Sequence, residues 1–146
     1  MRVLVADDQD EVRLVVVAAL AGMEVLEARD GREALALLSS TTVDVLVLDV
    51  MMPTLDGFQV VELVRHDERL RTLPVVMLTA KASETDHVRA FLAGADAYVI
   101  KPFEPDDLLL IVCDLSARSP EQRAQLRRAE LARARLLMQV EDSFGP

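Results

Sequence analysis

Five times along this chain a short aliphatic run is followed by a stretch of helical length, and that alternation leaves few folds open. The runs are residues 2–6 (RVLVA), 24–27 (EVLE), 45–49 (VLVLD), 75–79 (VVMLT) and 97–100 (AYVI). They are close to continuously apolar, the pattern of strands covered on both faces. Helix-length stretches lie between them, at about 10–20, 32–39, 57–67, 84–93 and 105–117. Gly31 and Gly57 stand at helix starts, and Gly22 and Gly94 follow helix ends, where a left-handed residue is often needed. Pro105 falls in a first helical turn, where its missing N–H costs nothing. The pattern predicts an α/β domain of three layers built on an open parallel sheet.

The alternation stops near Arg118. Ser119-Pro120-Glu121-Gln122 carries a Ser cap, a Pro at the first position and a Gln placed to close a capping box. A further helix to about Val140 is predicted from its Ala, Arg, Leu and Gln content. Leu126, Ala129, Leu136 or Leu137, and Val140 share one face, which Arg133 interrupts, and residues 141–146 are expected to fray. The chain thus divides into a domain over 1–117 and a helical extension over 118–146, in which no output domain is recognised.

Hydrophobic residues make up 51% of the 146, enough for a sizeable core, but aromatics are only 3%, so Val, Leu, Ala and Met must build it. No apolar run is long enough to cross a membrane, and no secretion signal is read at the N-terminus. The lone Cys113 excludes an internal disulfide and a thiolate zinc cluster. A cytoplasmic protein is the simplest expectation. Residues 1–117 carry 21 acids and 10 bases, a balance of −11, and residues 118–146 carry 4 acids and 6 bases, a balance of +2. Such a body repels nucleic acid and attracts Mg²⁺ or a basic protein surface.

In open parallel sheets, ligands bind beyond the carboxyl ends of the strands. The first run leads into Asp7-Asp8, the third ends at Asp49, the fourth at Thr79, and the fifth leads to Lys101-Pro102. Each alone is unremarkable, since an Asp at a strand end is usually a solvated loop residue or a helix cap. Together they bring three carboxylates, a hydroxyl and an ammonium to one rim. Crowded carboxylates repel unless a cation intervenes, and Mg²⁺, which keeps waters and phosphate oxygens among its ligands, suits the set. With its charge offset, Asp49 is fitted to accept a phosphoryl group whose oxygens Mg²⁺, Lys101 and Thr79 would hold.

Over residues 1 to about 117 the chain resembles the receiver domains of bacterial two-component response regulators. The matching stretches are VLVADD at 3–8, LDVMMPTLDGF at 48–58, PVVMLTA at 74–80 and AGADAYVIKPF at 93–103. The resemblance implies a flavodoxin-like (βα)5 sandwich with strand order 2-1-3-4-5, here with an extra C-terminal helix. It implies that Asp49 is the phosphorylated residue and that Asp7, Asp8, Asp49 and the Met51 backbone carbonyl serve Mg²⁺. Thr79 becomes the switch hydroxyl, Lys101 the phosphate-pairing lysine, Tyr98 the aromatic switch residue, and Lys101–Pro102 a cis bond. Implied partners are a sensor histidine kinase or phosphotransfer protein and a downstream effector, which reads a remodelled face of helix four, strand five and helix five.

Two other classes fit the residues less well. A magnesium-dependent aspartyl phosphatase would carry a second Asp two positions after its nucleophile, where this chain has Met51. A dinucleotide fold would need glycines after strand one, where the chain reads ADDQDE. A phosphoacceptor signalling domain, not an enzyme that turns over substrate, is therefore expected. The extension is expected either to pack on the domain or stick out in solution, or else to form a homodimer through its Leu stripe or be the start of a signalling helix. His66 and His87 are expected at the surface, and Cys113 in or near the core.

Overall fold

The computed structural model describes residues 1–144. The elements run β1 (Arg2–Ala6), α1 (Asp10–Ala19), β2 (Glu24–Ala28), α2 (Gly31–Ser40), β3 (Val45–Leu48) and α3 (Gly57–His66). They continue with β4 (Val75–Thr79), α4 (Glu84–Ala93), β5 (Ala97–Ile100), α5 (Pro105–Ala117) and α6 (Pro120–Phe144). All strands pair in parallel in the order β2-β1-β3-β4-β5, so the expected flavodoxin-like order is the observed one.

Side chains on a strand alternate between faces, and on β1, β3 and β4 both faces are dry, whereas the edge strands β2 and β5, expected from their apolar runs to be covered on both faces, are only partly buried. Leu4, Leu46, Leu48 and Met77 pack against the layer of α2, α3 and α4, through residues such as Leu38, Val61 and Ala90. Val3, Val5, Val47 and Leu78 pack against α1 and α5, through Val16, Leu108 and Val112. Continuous aliphatic strands are the sequence form of this two-sided burial.

Helix ends are held by local chemistry. Asp30 and Ser83 accept from the backbone N–H three residues on, and Asp56–Gln59 form a reciprocal capping box. Ser119 and Gln122 form another at the start of α6. Gly94 ends α4 at φ 113°, in the left-handed region. Lys101–Pro102 is cis, as expected.

The extension departs most from expectation. α6 runs to Phe144, so the anticipated fraying from Glu141 is not seen over the described residues, and Gly145 and Pro146 lie outside them. It packs along α4 in the opposite sense: Arg127 meets Asp96, just past the end of α4, and Met138 meets Thr85 in its first turn. The covered face takes in only the start of the Leu stripe, where Leu126 is half-buried. Arg123 and Ala134 are buried, whereas Leu136, Leu137 and Val140 are 61, 37 and 45% exposed. Among the described residues no helix is long and apolar enough to cross a membrane.

Candidate functional site

The rim is built by backbone that leaves its strands at one level. Ala6 is paired with Leu48, and Thr79 with Ile100. The ladder then extends one step further: Asp49 N–H donates to the Ala6 carbonyl at 2.9 Å, and Lys101 N–H to the Thr79 carbonyl at 2.8 Å. Asp7, Asp49 and Lys101 are therefore the first residues past β1, β3 and β5, with their positions set by the sheet. Gly57 lets the start of α3 close over this end, because a Cβ there would lie 2.3 Å from the Asp49 carbonyl oxygen.

Asp7, Asp8 and Asp49 each present a carboxylate oxygen, all within 4.8 Å of one another. Asp7 and Asp49 are buried and Asp8 is exposed. Lys101 Nζ lies 2.8 Å from Asp7 Oδ2 and 3.4 Å from Asp49 Oδ2, while Asp7 Oδ1 accepts the Gln9 N–H at 2.9 Å. Three carboxylates against one ammonium leave an excess of negative charge. Burial first, and then Asp7, raises the Asp49 pKa above its ordinary value; Lys101 and the Met51 backbone N–H act against them. A hard cation with oxygen ligands fits this donor set, since it would offset the very repulsion that burdens Asp49.

Thr79 is fully buried, and its Oγ accepts the Lys81 N–H at 3.2 Å; a hydroxyl that accepts can still donate its own proton. Tyr98 is half-buried, and its hydroxyl donates to the Lys81 carbonyl at 2.7 Å. Burial, then Asp86 and Asp49, raises the Tyr98 pKa, so the phenol stays a donor at neutral pH. Met51 follows Asp49 closely with its side chain 61% exposed, and no acid occupies the place where a phosphatase would need one.

Several other residues lie differently from the sequence expectation or add contacts that it does not show. His66 is exposed as expected, whereas His87 is half-buried. Its ring meets Tyr98 edge-on, with centroids 4.3 Å apart, and Nδ1 lies 3.2 Å from Glu84. Its Nε2 is buried without a hydrogen-bond partner. Cys113 is exposed, because the inward positions of α5 are Leu108, Val112 and Leu115. Arg13, only 7% exposed, donates to the Asp7 carbonyl at 2.6 Å and pairs with Asp10 and Glu27, bracing the acidic loop from α1. Thr54 adopts φ 70° beneath a 2.9 Å bond from Leu55 N–H to the Pro53 carbonyl, a tight γ-turn in the loop after Asp49.

The family model of the response regulator receiver domain matches residues 3–113. A probable transcriptional regulator, ycf27, of Galdieria sulphuraria is 41% identical over 109 residues, covering 73% of this chain and 42% of its own. The DNA-binding dual master transcriptional regulator RpaA of Synechocystis is 34% identical over 145 residues, covering 98% of this chain and 60% of its own. The chain thus spans between about two fifths and three fifths of these curated relatives. A putative response regulator from Chloroflexus aurantiacus superposes with a TM-score of 0.77 at 38% identity, over 80% of this chain and 98% of that one. The chemotaxis response regulator CheY4 of Vibrio cholerae gives 0.74 at 37% identity, over 78% and 97%.

Proposed function

The chain belongs to the response regulator receiver domain family, and from that premise we propose that Asp49 is the residue through which it is switched. The donor is a phosphohistidine of a sensor kinase or phosphotransfer protein. An Asp49 carboxylate oxygen attacks phosphorus, the P–N bond breaks, and the imidazole leaves with the bonding pair and takes up a proton. The observation that carries this reading is the meeting of Asp7, Asp8 and Lys101 around one buried carboxylate.

Asp7, Asp8, Asp49 and the Met51 carbonyl are the groups that would hold Mg²⁺, which when bound supplies positive charge against the carboxylates and phosphoryl oxygens. Lys101, already 3.4 Å from Asp49, turns to an incoming phosphoryl oxygen. Thr79 donates its hydroxyl to another. The new group brings roughly two negative charges, and the Thr79–Lys81–Tyr98 segment adjusts to them. Residues 1–117 form the phosphoacceptor unit and 118–146 its extension. The output is read by a protein in the cytoplasm, without direct nucleic-acid contact by this acidic body.

Incubation with acetyl phosphate and Mg²⁺, read by intact mass, is expected to add one phosphoryl group. Chelation of the metal should reduce incorporation severely, and Asp49→Asn should remove it. Equal incorporation into that variant would refute the assignment.

A further inference from the structure

The two halves of α6 are held very differently. In the first half Arg123, 7% exposed, donates to the Leu115 carbonyl at 3.2 Å and the Thr72 carbonyl at 2.8 Å. Arg127 pairs with Asp96, whose side chain is 1% exposed and which also takes Arg65 at 2.9 Å and the Val75 N–H at 2.8 Å. A buried carboxylate shared in this way recognises guanidinium specifically, because losing a partner leaves charge uncompensated. In the second half the burial rests on Ala134 with half-buried Leu131 and Met138, and the polar contact to α4 is a weak one from Thr85 to the Met138 sulfur at 3.7 Å. Segments with few buried contacts are those that open locally at low cost.

The weakly held half lies over the first turns of α4, and those turns are connected to the rim. His87 of α4 meets Tyr98 edge-on, Tyr98 donates to the Lys81 carbonyl, and Lys81 N–H donates to Thr79. A cleft of about 540 Å³ between α4, β5, α5 and α6 adjoins this chain of contacts. Tyr98, Phe91, Ile111, Leu126, Ala134 and Leu137 line it, leaving room for side chains to repack.

We propose that α6, an arginine-bearing amphipathic helix of this chain, is the resident occupant of the α4–β5 face, and that phosphorylation of Asp49 releases the second half of α6. This rests on the phosphoacceptor reading of Asp49. Arg123 and Arg127 keep the first half anchored at the far end of the sheet, so α6 hinges and does not leave. Until release, any protein reading α4 and β5 competes with the chain's own helix.

Hydrogen exchange on the full chain tests this, comparing Mg²⁺ alone with Mg²⁺ and acetyl phosphate. In the modification, Asp49 forms the new O–P bond and acetate departs from the broken one; intact mass on parallel aliquots gives the modified fraction. Amides of 131–143 should exchange at least about fivefold faster once modified, the low end of ordinary coupling energies, while 121–128 stay protected. His87→Ala should be modified to the same extent yet show a much smaller difference. Protection of 84–91 that persists while 131–143 open, with a concentration-dependent rise in mass, would mean that a second copy has taken the vacated place, which supports release. A modified chain with unchanged exchange over 131–143 overturns the proposal while leaving Asp49 as acceptor. A chain that incorporates no phosphate overturns both, and the mass tells the two cases apart.

Discussion

Asp49 is buried beside Asp7, and both circumstances favour its protonated form. A carboxyl whose pKa is raised by folding binds its proton more tightly in the folded state, so its contribution to stability falls as pH climbs through the carboxylate range. Asp49→Asn is therefore expected to melt higher than the parent at neutral pH without metal, with the gain shrinking as pH falls toward about 4. Added Mg²⁺ should raise the parent's melting temperature more than the variant's. A variant less stable than the metal-free parent at neutral pH would mean that Lys101 outweighs burial. The convergence of Asp7, Asp8, Asp49, Thr79 and Lys101 was legible in the sequence because each sits at a strand end, and parallel strands bring their ends together. His87 and Arg13 were not legible, since their roles depend on which way a side chain turns from a helix. Cys113 misled because it is flanked by apolar residues, yet it lies about 100° round the helix from Val112.

α6 shows what periodicity leaves out at the level of an element. Its existence and its start were readable from Ser119, Pro120 and Gln122, whose capping bonds are present. Its buried face was not, because an apolar stripe counts arginine as outward-facing, whereas Arg123 and Arg127 point into the domain. Arg127→Ala removes one charged partner from Asp96, which keeps Arg65 and the Val75 N–H; a loss of about 2 kcal/mol is expected in denaturant unfolding. Asp96→Asn strands two guanidinium groups and should cost more, about 3 kcal/mol or above. The reverse order would show that α6 is held by its apolar contacts and not through Asp96. The other ten elements fall within one or two residues of the sequence reading, since aliphatic runs mark the strands and Gly, Pro or polar residues mark the helix ends, even though α1 and α5 lack a side-chain cap and the edge strands β2 and β5 are only partly buried.

Over the whole molecule, sheet and site follow from one pattern, because the same parallel order that buries the aliphatic strands also gathers their acidic ends. The extension adds a helix along α4, beside the edge strand β5, and so gives the switch a neighbour of its own. All of this depends on Asp49 being where the phosphoryl group lands. Borohydride reduction of the chain after acetyl phosphate and Mg²⁺, followed by peptide mass spectrometry, locates the acyl phosphate directly. The account predicts conversion of the aspartate at position 49 to homoserine and of no other acid. Conversion at Asp7, Asp8 or any other carboxylate, with Asp49 intact, would contradict it.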